Sequence, residues 1–428
     1  MLNINKMQES TKLDNSGDSP LDKEPLVNGE NNSPSKKKII IIIITVVIIL
    51  AIIVTVLCVF LLQGSQEKDN NYTIPFEGEE HFGTIVLLPY RADTWEKNGS
   101  LAYKEYEEVI LILSQYEHVY VIKNPKVEYD LSSIKNKPNI SIHEINYDDA
   151  WARDNTLIFV KNNKNKIRAV DFGFNAWGGD VDGLYKPWDD DNKLGSELSK
   201  LLNVTTYSDK NFILEGGSIH TNGNGTLITT EACLLSKGRN SNLNKEQIEQ
   251  HLKEMLGMKK VIWLPHGIVN DETNEHVDNM ACFLDEETIL LAMYKDKNDL
   301  QYQWSIEAKN ILENETLPDG RKIKVILINC PNPYLKISQE EYDGIDHEGK
   351  MYPHPVGDRL SASYANFYMG KDYILLPKFN VTEDQEAFDV LNNFYKGKKK
   401  IYQIESRKIL LGGGNIHCIT MQIPFGKI

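Results

Sequence analysis

Residues 276–279, His-Val-Asp-Asn, decide the architecture once they are set beside two earlier stretches, Trp-Ala-Arg-Asp-Asn at 151–155 and Glu-Gly-Gly-Ser-Ile-His at 215–220. Asp154, Glu215 and His276 stand 61 residues apart in turn. Polar groups recurring at one interval mark a repeated structural unit. The chain between them keeps the same rhythm. Helical periodicity appears near 100–116, 190–202, 244–256, 300–313 and 383–396. Short β-rich runs appear near 83–88, 118–122, 260–264, 288–293, 323–328, 372–376 and 407–411. Asn244 and Gly257 bracket one helix, and Thr382 with Gln385 reads as a capping box opening another. Five helices, each between strands, predict an α/β fold of five similar units in radial or stacked repetition, each delivering a polar group to one place.

Leu411–Pro424, LGGGNIHCITMQIP, extends the pattern, with Cys418 lying 142 residues past His276. Gly412, Gly413 and Gly414 predict a tight turn that presents a side chain into a pocket, with Cys418 on a β-type segment after it. Alone, the stretch reads more simply as a hairpin turn before a structural cysteine. The other polar residues reverse that reading. A free thiol, with a pKa of about 8.5, needs a cation or a histidine to act as a nucleophile, and His276 is the candidate. If H-V-D is a strand, His276 and Asp278 share a face, and Asp278 orients the imidazole or holds a cationic substrate.

Asp154, Glu215 and Asp278 bring three carboxylates together and call for a positive partner, either a metal or a guanidinium. The wide ligand spacing argues against zinc. A planar guanidinium matches paired carboxylates and offers an electron-poor carbon to a thiolate. Trp151 and Trp177 would suit such a flat cation, or else the core.

The chain has 428 residues, 41% hydrophobic and 25% charged, with a net charge of −14. It is long enough for one large domain or two, and it lacks the basic footprint of a nucleic-acid binder. Ile39–Leu62 carries no charge and is long enough to cross a hydrocarbon layer of about 30 Å. Lys36, Lys37 and Lys38 before it place the N-terminus on the cytoplasmic side. The expectation is a single-pass type II membrane protein. A disordered tail (1–38), a transmembrane helix (39–62) and a juxtamembrane linker (63–80) would precede a catalytic domain (81–428) on the lumenal or extracellular side. Sequons at Asn71, Asn98, Asn139, Asn203, Asn224, Asn314 and Asn380 agree with that topology. Cys233, Cys282 and Cys330 allow at most one disulfide beside a free Cys418.

Taken in order, WARDN, DFGFNAWGG, YKPWDDD, LEGGSIH, TTEACLL, KKVIWLPHGIVNDETNEHVDN, DRLSASYANFY and GGGNIHCITMQIP closely resemble the agmatine deiminases of the guanidino-group-modifying (pentein) superfamily, which are related to bacterial-type peptidyl-arginine deiminases. The resemblance covers about 81–428. It implies a five-bladed α/β propeller of ββαβ units with the site on the pseudo-fivefold axis. The implied reaction is hydrolysis of agmatine to N-carbamoylputrescine and ammonia through a covalent amidino-cysteine, with no metal or organic cofactor.

Residue by residue, the resemblance makes Cys418 the nucleophile. His276 becomes the group that protonates departing ammonia and then activates water. Asp154 and Asp278 grip the guanidinium, Glu215 positions His276 or a substrate nitrogen, and Asn366 lines the pocket. Thr156, Leu157, Glu275 and Met421 depart from the family's usual residues, and Glu275 stands where glycine is usual. Two other readings stay open: deimination of free or peptidyl arginine, and a catalytically silent membrane-anchored binding domain. Asp189, Asp190 and Asp191 lean toward an amine substrate. Assembly into a homo-oligomer is compatible with the sequence and not specified by it.

Overall fold

The computed structural model describes residues 36–69, 71–348 and 355–428. The chain divides into two compact units, Met1–Ser65 and Gln66–Ile428. The helix Lys36–Asp69 contains the whole apolar run Ile39–Leu62, and the large apolar side chains described along it are exposed. Side chains of 37–38, 42 and 56–69 are outside the description. Among the described residues, no helix is long and apolar enough to cross a membrane, so these residues leave the predicted span unsupported. The expected disordered tail falls mainly on 1–35, outside the described residues.

The second unit is built from five open sheets. The first holds β1 (His81–Leu87), β2 (His118–Lys123) and β3 (Ile140–Glu144), with β16 (Thr420–Pro424) antiparallel to β1. The second holds β4 (Ile158–Lys161), β5 (Ile167–Gly173) and β6 (Thr206–Ile213); the third, β7 (Ile219–Thr221), β8 (Thr226–Thr230) and β9 (Lys260–Leu264). The fourth holds β10 (Ala281–Phe283), β11 (Thr288–Met293) and β12 (Lys324–Asn329), and the fifth β13 (Tyr368–Met369), β14 (Tyr373–Lys378) and β15 (Lys400–Glu405). In each, an antiparallel pair is followed by a helix and a parallel strand, which is the ββαβ unit. The last strand, β16, supplies the antiparallel member of the first sheet, so the two ends of the repeat array meet in one blade.

The crossover helices are Ser100–Leu113, Asp189–Leu202, Lys245–Leu256, Leu300–Asn314 and Glu383–Tyr395, matching the five predicted patterns. Lys245–Leu256 starts at an Asn244–Gln247 capping box, buries Ile248, Leu252 and Leu256, and ends at Gly257 with φ 67°. The central strands are covered on both faces, and every residue of β11, Thr-Ile-Leu-Leu-Ala-Met, is buried.

Three local expectations fail. Thr382 makes no capping hydrogen bond; instead Asp384 accepts from the amides of Phe379 and Val381 at 2.9 Å. The run 407–411 is a helix, Arg407–Leu411, because the Glu105 carboxylate binds the amides of Lys408 and Ile409 at its start. The supposed linker 63–80 is also not wholly a linker, since Ile74 and Glu77 are buried.

Candidate active site

The first strand of each repeat is preceded by a short segment that carries one of the polar residues singled out in the sequence. Asp154 precedes β4, Glu215 precedes β7, His276 and Asp278 precede β10, Asn366 precedes β13, and Cys418 precedes β16. The equal sequence spacing is therefore equal placement in successive blades. All six residues are buried. The H-V-D argument fails in its detail: His276 caps a short helix, Val277–Met280, rather than lying on a strand. Cys418 likewise sits in a turn two residues before β16.

The thiol is held by its neighbours. Asn366 Nδ2 is 3.1 Å from Cys418 Sγ, and Sγ is 3.5 Å from Asp278 Oδ2. Burial, then the charges of Asp278 and Asp154, push the thiol well above its ordinary pKa, so the resting form is the thiol. His276 lies with Nδ1 3.9 Å from Asp154 Oδ2 and Nε2 3.9 Å from Glu215 Oε2, and neither ring nitrogen has a hydrogen-bond partner among the described residues. Burial pulls its pKa down to about 3, against the charge of Asp278. It is thus a neutral imidazole at physiological pH.

The three carboxylates differ in their partners. Asp154 accepts from Gly217 N at 2.9 Å and from Trp177 Nε1 at 3.0 Å; burial and the charges of Asp278 and Glu215 push it well above the carboxylate range. Burial also raises Glu215, with Arg239 opposing. Burial raises Asp278 as well, but its hydrogen bond to His417 prevails and holds it below its ordinary value.

A Cβ added at Gly217 would stand 2.6 Å from His276 Nδ1 and 2.9 Å from both Asp154 Oδ1 and Asp278 Oδ2. The missing side chain lets the three groups come this close to the backbone. At Gly414 a Cβ would meet Cys418 Sγ at 3.0 Å and the Trp151 ring at 2.6 Å, and Gly413 has φ 112°. The glycine turn does make room for the thiol.

A cavity reaches Cys418 and Asp154 between Trp151 and Trp177, with Asp93, Asp149 and Glu272 on its walls and no basic residue among its described lining. Trp151 stacks on Trp95 at 4.7 Å, and both indoles donate to Asp149. Asp191, expected to favour an amine substrate, is instead wholly buried. It accepts from Asp148 N at 2.8 Å and Asn155 Nδ2 at 2.9 Å, and also bonds Tyr185. The acidic wall that the substrate would meet comes from other segments, distant in sequence. Glu275 adopts φ 68°, the conformation that favours glycine, and its carboxylate holds Gly267 N at 2.9 Å and His266 Nδ1 at 3.1 Å.

Sequence reasoning missed Arg239, His417, Glu77 and Arg153. Arg239 and Glu215 make a wholly buried ion pair. His417 lies between Asp278 and Glu77, with 2.8 Å contacts on both sides. His417 stood in the quoted motif beside Cys418 and was given no role there.

Among the described residues, two groups have metal-ligating types close together, Glu77–His220–His417 and Glu215–Cys233–His276. Neither suits a cation. Both His417 nitrogens face carboxylates, and His220 Nδ1 accepts from Phe283 N at 3.2 Å, which leaves its proton on Nε2. In the second group Arg239 already occupies Glu215, and burial pushes the Cys233 thiol well up. Cys233, Cys282, Cys330 and Cys418 are all free.

Five ββαβ units converging on a thiol, a neutral imidazole and three carboxylates define a pentein-type α/β fold with a buried cysteine centre. The chain belongs to the Porphyromonas-type peptidyl-arginine deiminase family, whose model matches residues 73–424. A Listeria monocytogenes serovar 1/2a protein provisionally named agmatine deiminase 2 is 43% identical over 356 residues, 83% of this chain and 96% of its own. A Latilactobacillus sakei protein provisionally named agmatine deiminase is 43% identical over 366 residues, 86% and 99% of the two chains. Among solved structures, the agmatine deiminase of Enterococcus faecalis matches with a TM-score of 0.80 at 36% identity, covering 84% of this chain and 98% of its own. An agmatine deiminase of C. jejuni with substrate bound matches with a TM-score of 0.70 at 28% identity, covering 83% and 97%.

Proposed function

We infer that this chain hydrolyses the guanidinium group of agmatine, giving N-carbamoylputrescine and ammonia. The observation that carries the reading is the cavity that ends on Cys418 and Asp154, walled by Trp151, Trp177, Asp93, Asp149 and Glu272 with no described cation. Asp93 is paired with Arg91, so Asp149 and Glu272 are the acids that favour a second cationic end on the substrate, and the indoles suit its flat head.

In the reaction, Asp154 and Asp278 take the guanidinium nitrogens. Cys418 Sγ bonds to the guanidinium carbon, and its proton leaves with the departing ammonia by way of His276. Water, deprotonated by His276, then attacks the same carbon; the C–S bond breaks and the proton returns to sulfur. Asn366 holds the thiol, and Glu215 supports His276. The test is ammonia release by the full-length chain supplied with agmatine, free arginine or arginyl peptides; no release from agmatine would sink the reading.

Deimination of free or C-terminal arginine would need a cation for the substrate's carboxylate, and Arg91, which lies against the lining residues Asp93 and Tyr185, is already held by Asp93. A silent binding domain predicts that Cys418→Ala changes nothing in substrate turnover, because there would be none.

The chain is further proposed to be a type II membrane protein anchored by Ile39–Leu62. Support comes from the uncharged run inside a 34-residue helix, the three preceding lysines and the exposure of all seven sequon asparagines from Asn71 to Asn380. Resistance to alkaline carbonate extraction, with protease access from outside, tests it; a freely extracted chain would overturn it.

A further inference from the structure

The segment between the helix Lys36–Asp69 and β1 enters the catalytic unit. Thr73 and Lys161 exchange two backbone hydrogen bonds at 3.0 and 2.8 Å, and Ile74 packs in the core. Glu77 ends beside the residue that precedes Cys418. Its Oε2 is 2.8 Å from His417 Nε2 and 3.4 Å from Arg153 Nη2, and its Oε1 accepts from Met369 N at 2.9 Å. On the far side of the ring, His417 Nδ1 is 2.8 Å from Asp278 Oδ2.

Carboxylates only accept, and a neutral imidazole has one N–H. A ring held between two ionised carboxylates at these distances donates from both nitrogens. We propose that Glu77 is a positioning residue for the deiminase reaction: it holds His417 as a two-ended donor, and His417 fixes the Asp278 carboxylate beside the thiol. This rests on the deiminase reading above.

The charged and titratable groups facing His417 are Glu77, Asp278, Arg153, His220, His276 and Cys418. Burial and Arg153 oppose a second proton on the ring, and the anions Glu77 and Asp278 outweigh them, so His417 is raised above its ordinary value. Asp278 Oδ1 has no hydrogen-bond partner among the described residues and stays available to a guanidinium N–H. Without the clamp, Asp278 would lose its cationic partner while still facing Asp154. A carboxylate there is then harder to keep ionised, and guanidinium binding weakens.

Glu77→Gln keeps the shape and removes the charge. In the full-length chain labelled with 15N-histidine, wild-type His417 should carry protons on both nitrogens at pH 8 and the variant on one, with His417→Gln supplying the assignment. The alkaline limb of kcat/KM for agmatine should move down by at least about one pH unit, a tenfold change in the proton equilibrium. At pH 8 the loss should fall mainly on KM, by about tenfold, with near wild-type values at pH 6 and partial rescue in Glu77→Asp.

A merely structural Glu77 would lower activity by one factor at every pH, in step with melting temperature. That result, or unchanged imidazole signals, would overturn the proposal. A wild-type chain that releases no ammonia from agmatine would instead remove the deiminase reading, leaving the imidazole signals to decide the clamp.

Discussion

Arg239 Nε lies 2.8 Å from Glu215 Oε1 with both side chains wholly buried, although its N–H is not aimed along the contact. The rest of the guanidinium binds the carbonyls of Thr273, at 2.8 Å, and Trp177, and the Asn274 side chain at 2.6 Å. One cation therefore compensates a site carboxylate and braces the segment leading into His276. Removing one partner of such a pair leaves a buried charge uncompensated. Arg239→Met should cost about 3–5 kcal/mol in urea unfolding. A loss below about 1 kcal/mol, the scale of an exposed pair, would show that Glu215 does not need it.

Gly217 lets His276, Asp154 and Asp278 close in on its backbone. Its backbone is not in the left-handed region, so Gly217→Ala is opposed by contact rather than by φ, at a cost of about 1–3 kcal/mol from overpacking. The methyl group would stand where His276, Asp154 and Asp278 meet. We expect kcat/KM to fall by about a hundredfold or more, on the scale of a misplaced substrate; retained activity would put the substrate elsewhere.

Burial and anionic neighbours push Asp154 well above the ordinary carboxylate range, and a bound guanidinium would oppose that shift. Agmatine binding to Cys418→Ala should release up to about one proton at pH 7. Calorimetry in two buffers of different ionisation enthalpy measures this directly. Asp154→Asn should release none.

His276 titrates near 3 in the folded chain, below the ordinary histidine value. As pH falls below about 6.5, the unfolded chain takes up a proton that the buried ring refuses, so stability is lost between 6.5 and 3. The stability of His276→Asn should gain on the wild type by about 1.4 kcal/mol per unit of pH in that window. Its kcat should fall by about 10²–10⁴ at pH 7.5, the range for losing a general acid–base group. A constant stability difference across pH would mean that the ring titrates normally.

The raised thiol should be unreactive at rest. Iodoacetamide should modify Cys418 at pH 7.5 at least about tenfold more slowly than a free cysteine, because the thiolate fraction is smaller. Mass spectrometry of the Cys418 peptide follows the rate, and rapid labelling would indicate a resting thiolate.

The sequence by itself was enough for the repeat and for which residues the blades bring together. Five helical periodicities between β-rich runs gave the repeat, and Asp154, Glu215, His276, Asp278, Asn366 and Cys418 all reach one place because each precedes the first strand of a blade. Local pattern was a weaker guide wherever a tertiary contact overrode it. Arg407–Leu411 has a strand-like composition and folds as a helix because Glu105, about three hundred positions earlier, binds its first amides. Asp189–Asp191 looked like substrate-facing acids, yet Asp191 is turned inward to bind Asp148 and Asn155.

Only the tertiary structure decided which charges meet. Arg239 reaches Glu215, and Glu77 reaches Asp278 through His417, by chain crossings that leave no periodic trace in the sequence. Repetition records where a blade delivers its residue. The protonation state of that residue depends on partners brought from other blades and on the burial they share.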